Sequence, residues 1–171
     1  LYASRHEPDV VYAAFDNHKY GDFEPHLFVS DDRGRTWRSL AETLPEDHVV
    51  YSIRQDHEDP DLLFCGTEFG AFFSNDGGEN WIELKAGIPN IAVQDMEIQR
   101  RENDLVLATF GRGFYILDDY TPLRHVSEEI LEEREAMLFP VDDALRYVER
   151  SRLGGRDGRG SQGAGFFTAK N

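Results

Sequence analysis

Cysteine is almost missing from this sequence of 171 residues: Cys65 stands alone, so no internal disulfide can staple the fold, and cysteine usage does not report a redox compartment. No apolar run approaches the roughly 18–20 residues that cross a bilayer as a helix, so no membrane span is expected. Basic residues are scarce too, with 18 Lys+Arg against 33 Asp+Glu and a formal charge of −15. That balance argues against nucleic acid as a partner, because non-specific binding needs a basic face that displaces counterions. Helical periodicity is lacking throughout residues 1–117. The chain opens at Leu1 with no Met and no signal-like segment, and it reads as a piece of a longer protein whose targeting segment lies outside it. Hydrophobic residues are not in short supply: at 40% of the chain they suffice for a packed core and exclude wholesale disorder.

What the sequence does have is an internal repeat. SDDRGRTW at Ser30–Trp37 returns as SNDGGENW at Ser74–Trp81, an offset of 44 residues, and both read S-x-D-x-G-x-[T/N]-W. The flanks repeat as well. RHEPDVVYAA from Arg5, DHEDPDLLFCG from Asp56 and RRENDLVLAT from Arg100 share a charged cluster, a Pro-Asp or Asn-Asp pair and an apolar run. Thr67–Gly70 has a counterpart in Thr109–Gly113 with one residue inserted. In the best unit the strands fall at Tyr51–Ile53, Leu62–Thr67, Ala71–Ser74 and Asn80–Leu84, separated by Asp-Pro-Asp, Glu-Phe-Gly and Asn-Asp-Gly-Gly turns. The last unit yields VQDMEIQ, DLVLAT and GFYIL and stops before an Asp-Gly turn. A unit of about 40–45 residues built from short strands is the period of a propeller blade. The expected fold is therefore all-β, a partial multi-bladed β-propeller of about two and a half blades.

Each octapeptide residue suits a tight turn between strands. Asp32 and Asp76 can accept from successive backbone amides, Gly34 and Gly78 permit a positive φ, and Ser30, Ser74, Thr36 and Asn80 supply short polar side chains. Trp37 and Trp81 are expected to bury a ring between sheets while keeping an N–H for a partner. A calcium loop is the rival reading, but the alternate acidic ligands and the distal bidentate Glu are missing, so no metal is assigned. No cofactor is assigned either. GRGSQG at Gly158–Gly163 fits G-x-G-x-x-G without the strand and helix such a motif needs. The six histidines lack ligand spacing, and His6 and His57 occupy equivalent repeat positions that imply a turn role.

SDDRGRTW and SNDGGENW resemble the Asp-box, or bacterial neuraminidase repeat, of sialidases, xyloglucanase-type glycoside hydrolases and the sortilin luminal propeller. The longer phrases GTEFGAFFSNDGGENWIEL and LATFGRGFYILDDYTPLR are similar to large bacterial proteins described as glycosyl-hydrolase-like or sortilin-like. The resemblance covers residues 1–124 and implies a secreted or periplasmic protein that acts on or binds a glycan or polysaccharide. Its alternative is a non-catalytic, sortilin-like propeller that captures peptides or proteins. It also implies that the remaining blades of the parent chain are partners of this segment, and that the Asp-boxes mark the fold rather than an activity. Glycoside hydrolysis needs two carboxyl groups about 5–10 Å apart, and the acids nearest a channel mouth are Glu68, Asp95 and the pair Asp118–Asp119. Catalytic carboxylates are expected mostly outside this segment. Arg112, between Gly111 and Gly113, is the one arginine read as facing a channel; its turn can serve either as an anion-binding nest or as a plain connection. A sialidase would need further arginines that the sequence does not supply.

After residue 120 the character changes. Residues 1–120 read as the propeller segment and 121–171 as a connector, with a short helix at Glu128–Met137 capped by Ser127 and a Gly-rich linker at Gly154–Gly165 leading toward another domain.

Overall fold

The structure is a computed structural model that describes residues 1–85, 87–126, 138–140, 147–151 and 165–169. Among them the fold is all-β with antiparallel pairing throughout. The first sheet runs β1 (Tyr2–Ala3), β2 (Val11–Phe15), β3 (His26–Ser30) and β4 (Arg38–Ser39) in spatial and chain order. The second repeats the arrangement with β5 (Val50–Gln55), β6 (Leu63–Thr67), β7 (Gly70–Ser74) and β8 (Ile82–Glu83). The third has three strands, β9 (Val93–Gln99), β10 (Asp104–Thr109) and β11 (Gly113–Leu117). A four-residue 3₁₀ turn, Thr121–Arg124, follows it.

The second sheet lies between the other two, and its sequence shows why. Every residue of β6 and β7 is buried, so LFCGT and GAFFS read as continuous apolar runs rather than as an alternation. Successive side chains still point to opposite faces. Cys65 and Phe72 join Tyr12, Leu27 and Val29 in a core shared with the first sheet. Phe64 and Phe73 join Met96, Ile98, Leu105 and Leu107 in a core shared with the third. Gly66 is where the last two sheets come closest: a Cβ there would lie 2.5 Å from the Val93 carbonyl oxygen and 2.7 Å from Ser52 Oγ. β9 alternates buried and exposed positions except at Gln94–Asp95, where a bulge shifts the register against Ala108 and Thr109.

The chain divides into two compact units, Leu1–Met137 and Leu138–Asn171. In the second, β12 (Tyr147–Ser151) pairs with β13 (Gly165–Ala169), strands that the sequence did not announce. The helix expected over Glu128–Met137 lies outside the described residues, as does the Gly-rich run up to residue 164. Among the described residues no helix is long and apolar enough to cross a membrane.

Candidate functional site

The two octapeptides fold into the same turn. Ser30 Oγ donates to Asp32 Oδ1 and accepts from Gly34 N–H, both at 2.8 Å, and Asp32 Oδ1 also takes the amides of Arg35 and Thr36 at 2.8 Å. In the second copy Ser74 Oγ donates to Asp76 Oδ1 and accepts from Gly78 N–H, while Asp76 Oδ1 takes the amides of Glu79 and Asn80. Asn80 Nδ2 donates to Asp76 Oδ2 at 2.8 Å, replacing the Thr36 hydroxyl that donates to Asp32 Oδ2 at 2.7 Å. Two consecutive residues take the left-handed conformation in each copy, Arg33–Gly34 and Gly77–Gly78. The amides from Thr36 and Arg35 and the hydroxyls of Thr36 and Ser30 hold the Asp32 carboxyl down at about 2. The carboxylates thus serve the turn, each accepting four hydrogen bonds from within it.

The tryptophans that close the two turns differ. Trp81 is buried and donates through Nε1 to the Leu40 carbonyl at 2.6 Å. Trp37 stays 42% exposed and bonds only its own turn, at Gly34 O. The expected burial of Trp37 fails because the cover that Trp81 receives comes from the segment leaving the previous sheet, and no described residue plays that part for Trp37.

The carboxylates singled out in the sequence separate. Glu68 sits half-buried in the two-residue connection between β6 and β7, its amide bonded to Val49 O. Asp95 lies exposed on β9, and its carboxylate takes Arg54 Nη2 at 2.7 Å. No hydrogen bond or ion pair links Glu68 and Asp95 among the described residues. Arg54 proves to be the centre of the arrangement. It also approaches Glu97 at 3.6 Å, and its guanidinium stands 5.4 Å from the centre of the Tyr2 ring. Tyr2, Arg54, Asp95 and Glu97 come from β1, β5 and β9, the first strand of each of the three sheets. The fold therefore gathers one array from equivalent strands of the three sheets. Arg54 carried a signal in the sequence, being the one charged residue in the strand VYSIRQ. Arg112 is exposed in the β10–β11 connection, where Gly111 and Gly113 both have positive φ and Thr109 Oγ1 donates to Gly113 O at 2.7 Å. Thr67 Oγ1 donates to Gly70 O in the equivalent β6–β7 connection. Asp119 Oδ1 accepts from the amide and hydroxyl of Thr121, at the start of the 3₁₀ turn.

A second charged cluster, with no precedent in the sequence reading, centres on fully buried Asp56. Its carboxylate takes Tyr120 Oη at 2.5 Å, Arg124 Nε at 2.6 Å, Arg124 Nη2 at 3.0 Å and the Asp59 amide at 3.0 Å. Arg124 extends to Glu58 and to the side chain of Asn103. Burial alone would raise the Asp56 carboxyl, but hydrogen bonds from Arg124, Tyr120 and the Asp59 amide outweigh it and hold the group at about 2. The Tyr120 hydroxyl is pushed far up by burial and by the carboxylate it faces. The cluster ties the third sheet's exit to the second sheet's first turn, with Asp56 buried at its centre and Glu58 at its exposed rim.

Between the first two sheets a cleft of about 300 Å³ is bordered by Tyr12, Trp37, Arg38, Gln55 and Asp61. Burial, opposed by the nearby Arg38 charge, pushes the Tyr12 hydroxyl up to about 12. Among the described residues no group of three or more His, Cys, Asp or Glu is placed to hold a metal ion. No protein-family model matches the sequence, and a search of curated proteins finds no match.

Proposed function

We propose that this chain is a segment of an Asp-box β-propeller in an extracytoplasmic, glycoside-hydrolase-like protein, and that the segment binds a glycan rather than cleaving it. The two successive four-stranded sheets closed by one and the same turn support the propeller reading. The observation that carries the binding reading is the array on the first strands. The Arg54 guanidinium stands over the Tyr2 ring, and Asp95 and Glu97 present accessible carboxylates, an arrangement of charged donors and acceptors suited to sugar hydroxyls. Hydrolysis is disfavoured at this position because Arg54 fills the space between the two carboxylates, where a hydrolase keeps room for the scissile bond. The peptide-binding alternative has one observation in its favour: β11 has no neighbour on its outer edge among the described residues, and a peptide strand could extend it there.

Titration of the chain with β-glucan oligosaccharides and sialosides, followed by calorimetry and by an assay for released sugar, tests the reading. Saturable glycan binding, weakened at least tenfold by Asp95→Ala, with no sugar released, is the expected result. Absence of glycan binding together with saturable peptide binding would sink it.

A further inference from the structure

The second octapeptide turn has a cover from another sheet, and the first has none among the described residues. Leu40, leaving β4, lies over Gly78, its Cδ2, Cδ1 and Cγ falling 3.0, 3.1 and 3.4 Å from where a Cβ would be. The Leu40 carbonyl accepts the Trp81 indole N–H at 2.6 Å. Three residues on, Thr43 Oγ1 donates to Glu79 O at 3.1 Å and accepts from Trp81 N–H at 3.0 Å. One leucine side chain and two polar groups thus read one turn.

The corresponding groups of the first turn are Gly34, the Trp37 indole, Arg35 O and Trp37 N–H. Over Gly34 the nearest foreign group is the Trp37 ring itself, at 3.5 Å. Neither Arg35 O nor Trp37 N–H has a hydrogen-bond partner among the described residues. Leu84 shows that the leucine of the covering segment is itself a repeated feature, with Gly87 at the position of Thr43. It follows Leu40 by 44 residues, its amide bonds to Ala71 O as that of Leu40 bonds to Leu27 O, and it too is buried. The unit is therefore reciprocal: each four-stranded sheet presents an octapeptide turn and sends out a leucine.

We infer that the turn Ser30–Trp37 is a docking site for a Leu-x-x-Thr segment leaving the fourth strand of another sheet of this kind, seated as Leu40–Thr43 seats on Ser74–Trp81. The leucine takes the place of the Trp37 ring over Gly34, its carbonyl accepts the Trp37 indole N–H in exchange for Gly34 O, and the threonine hydroxyl bridges Arg35 O and Trp37 N–H. The Leu40–Thr43 interface within the molecule supplies both the register and the chemistry. The inference is independent of what the first-strand array binds.

The test adds a synthetic peptide of the Arg38–Pro45 sequence to the full chain and follows the two indole N–H resonances. The Trp37 signal is expected to shift saturably, with a Kd of ~1 mM as suits one apolar anchor and three hydrogen bonds. The Trp81 signal stays in place. A peptide carrying Leu40→Asp should bind at least tenfold more weakly. In the chain, Trp37→Phe keeps the ring but loses the indole donor, and should weaken binding several-fold as read from backbone amides of the turn, the unshifted Trp81 signal reporting an intact fold. A Trp37 signal unmoved at saturating peptide, an equal response to the Leu40→Asp peptide, or a shift confined to Trp81 would overturn the assignment.

Discussion

Asp56 shows how one buried carboxylate can hold two sheets in a fixed relation. Its hydrogen bonds from Arg124, Tyr120 and the Asp59 amide satisfy a charge that burial would otherwise expel. Removing one partner leaves the other uncompensated, which for buried pairs costs about 3–5 kcal/mol. Asp56→Asn should therefore lower the unfolding free energy by an amount of that order, read by urea denaturation at neutral pH. Because the folded carboxyl sits at about 2, below its unfolded value, its contribution is fully present above about pH 4 and fades as pH falls toward 2. The variant should accordingly lose less stability than the parent between those pH values. Asp32 and Asp76, also lowered, keep part of the acid slope in both proteins. None of this was legible in the sequence. Asp56 and Arg124 stand 68 residues apart, and only a folded chain shows that they meet. The same holds for Arg54 and Asp95, of which the sequence flagged one carboxylate without its partner.

At the scale of the element, the strands were legible because turn chemistry brackets them. Val93–Gln99, Asp104–Thr109 and Gly113–Leu117 form over the residues their pattern marked. The pair β12 and β13 was not legible, since YVERS carries three polar or charged residues and a glycine-rich stretch separates the strands. The fate of a glycine was only half legible. Positive φ at Gly34 and Gly78 follows from the turn, whereas crowding depends on neighbours from elsewhere in the chain. Alanine at Gly34 meets backbone strain and a ring at ordinary contact distance. Alanine at Gly78 meets comparable strain and the Leu40 side chain at 3.0 Å. At Gly66 the backbone accepts alanine, but the Val93 carbonyl 2.5 Å away belongs to the next sheet and cannot rotate aside. Thermal unfolding should rank the losses Gly66→Ala and Gly78→Ala above Gly34→Ala, the first two of order 1–3 kcal/mol as overpacking costs. A larger loss for Gly34→Ala than for either would show that turn strain, not packing between sheets, limits stability.

For the compact unit as a whole, the stacking of three sheets leaves unequal ends. The second sheet is covered on both faces, but the third ends at β11, whose outer edge pairs with nothing among the described residues. In the first two sheets that edge is closed by β4 and β8, each only two residues long. β11 alternates in a revealing way. Tyr115 and Leu117 pack against the core shared with the second sheet, while Phe114 and Ile116 point away and are 73% and 58% exposed. Phe110 adds a third exposed apolar side chain at the adjoining connection. An open edge flanked by exposed apolar side chains is a template for strand addition, and natural sheets blunt such edges with lysine. A formal charge of −15 opposes association at long range but is screened within about 8 Å at physiological salt. Self-association of the chain should therefore strengthen as salt is raised. Sedimentation velocity should show concentration-dependent species in the parent and mainly monomer after the double change Phe114→Lys and Ile116→Lys, with the circular dichroism of the fold retained. The substitutions lie on the face away from the core, so they test the edge without emptying it. A parent that remains monomeric at high salt would mean that the edge of β11 is too twisted or too brief to pair.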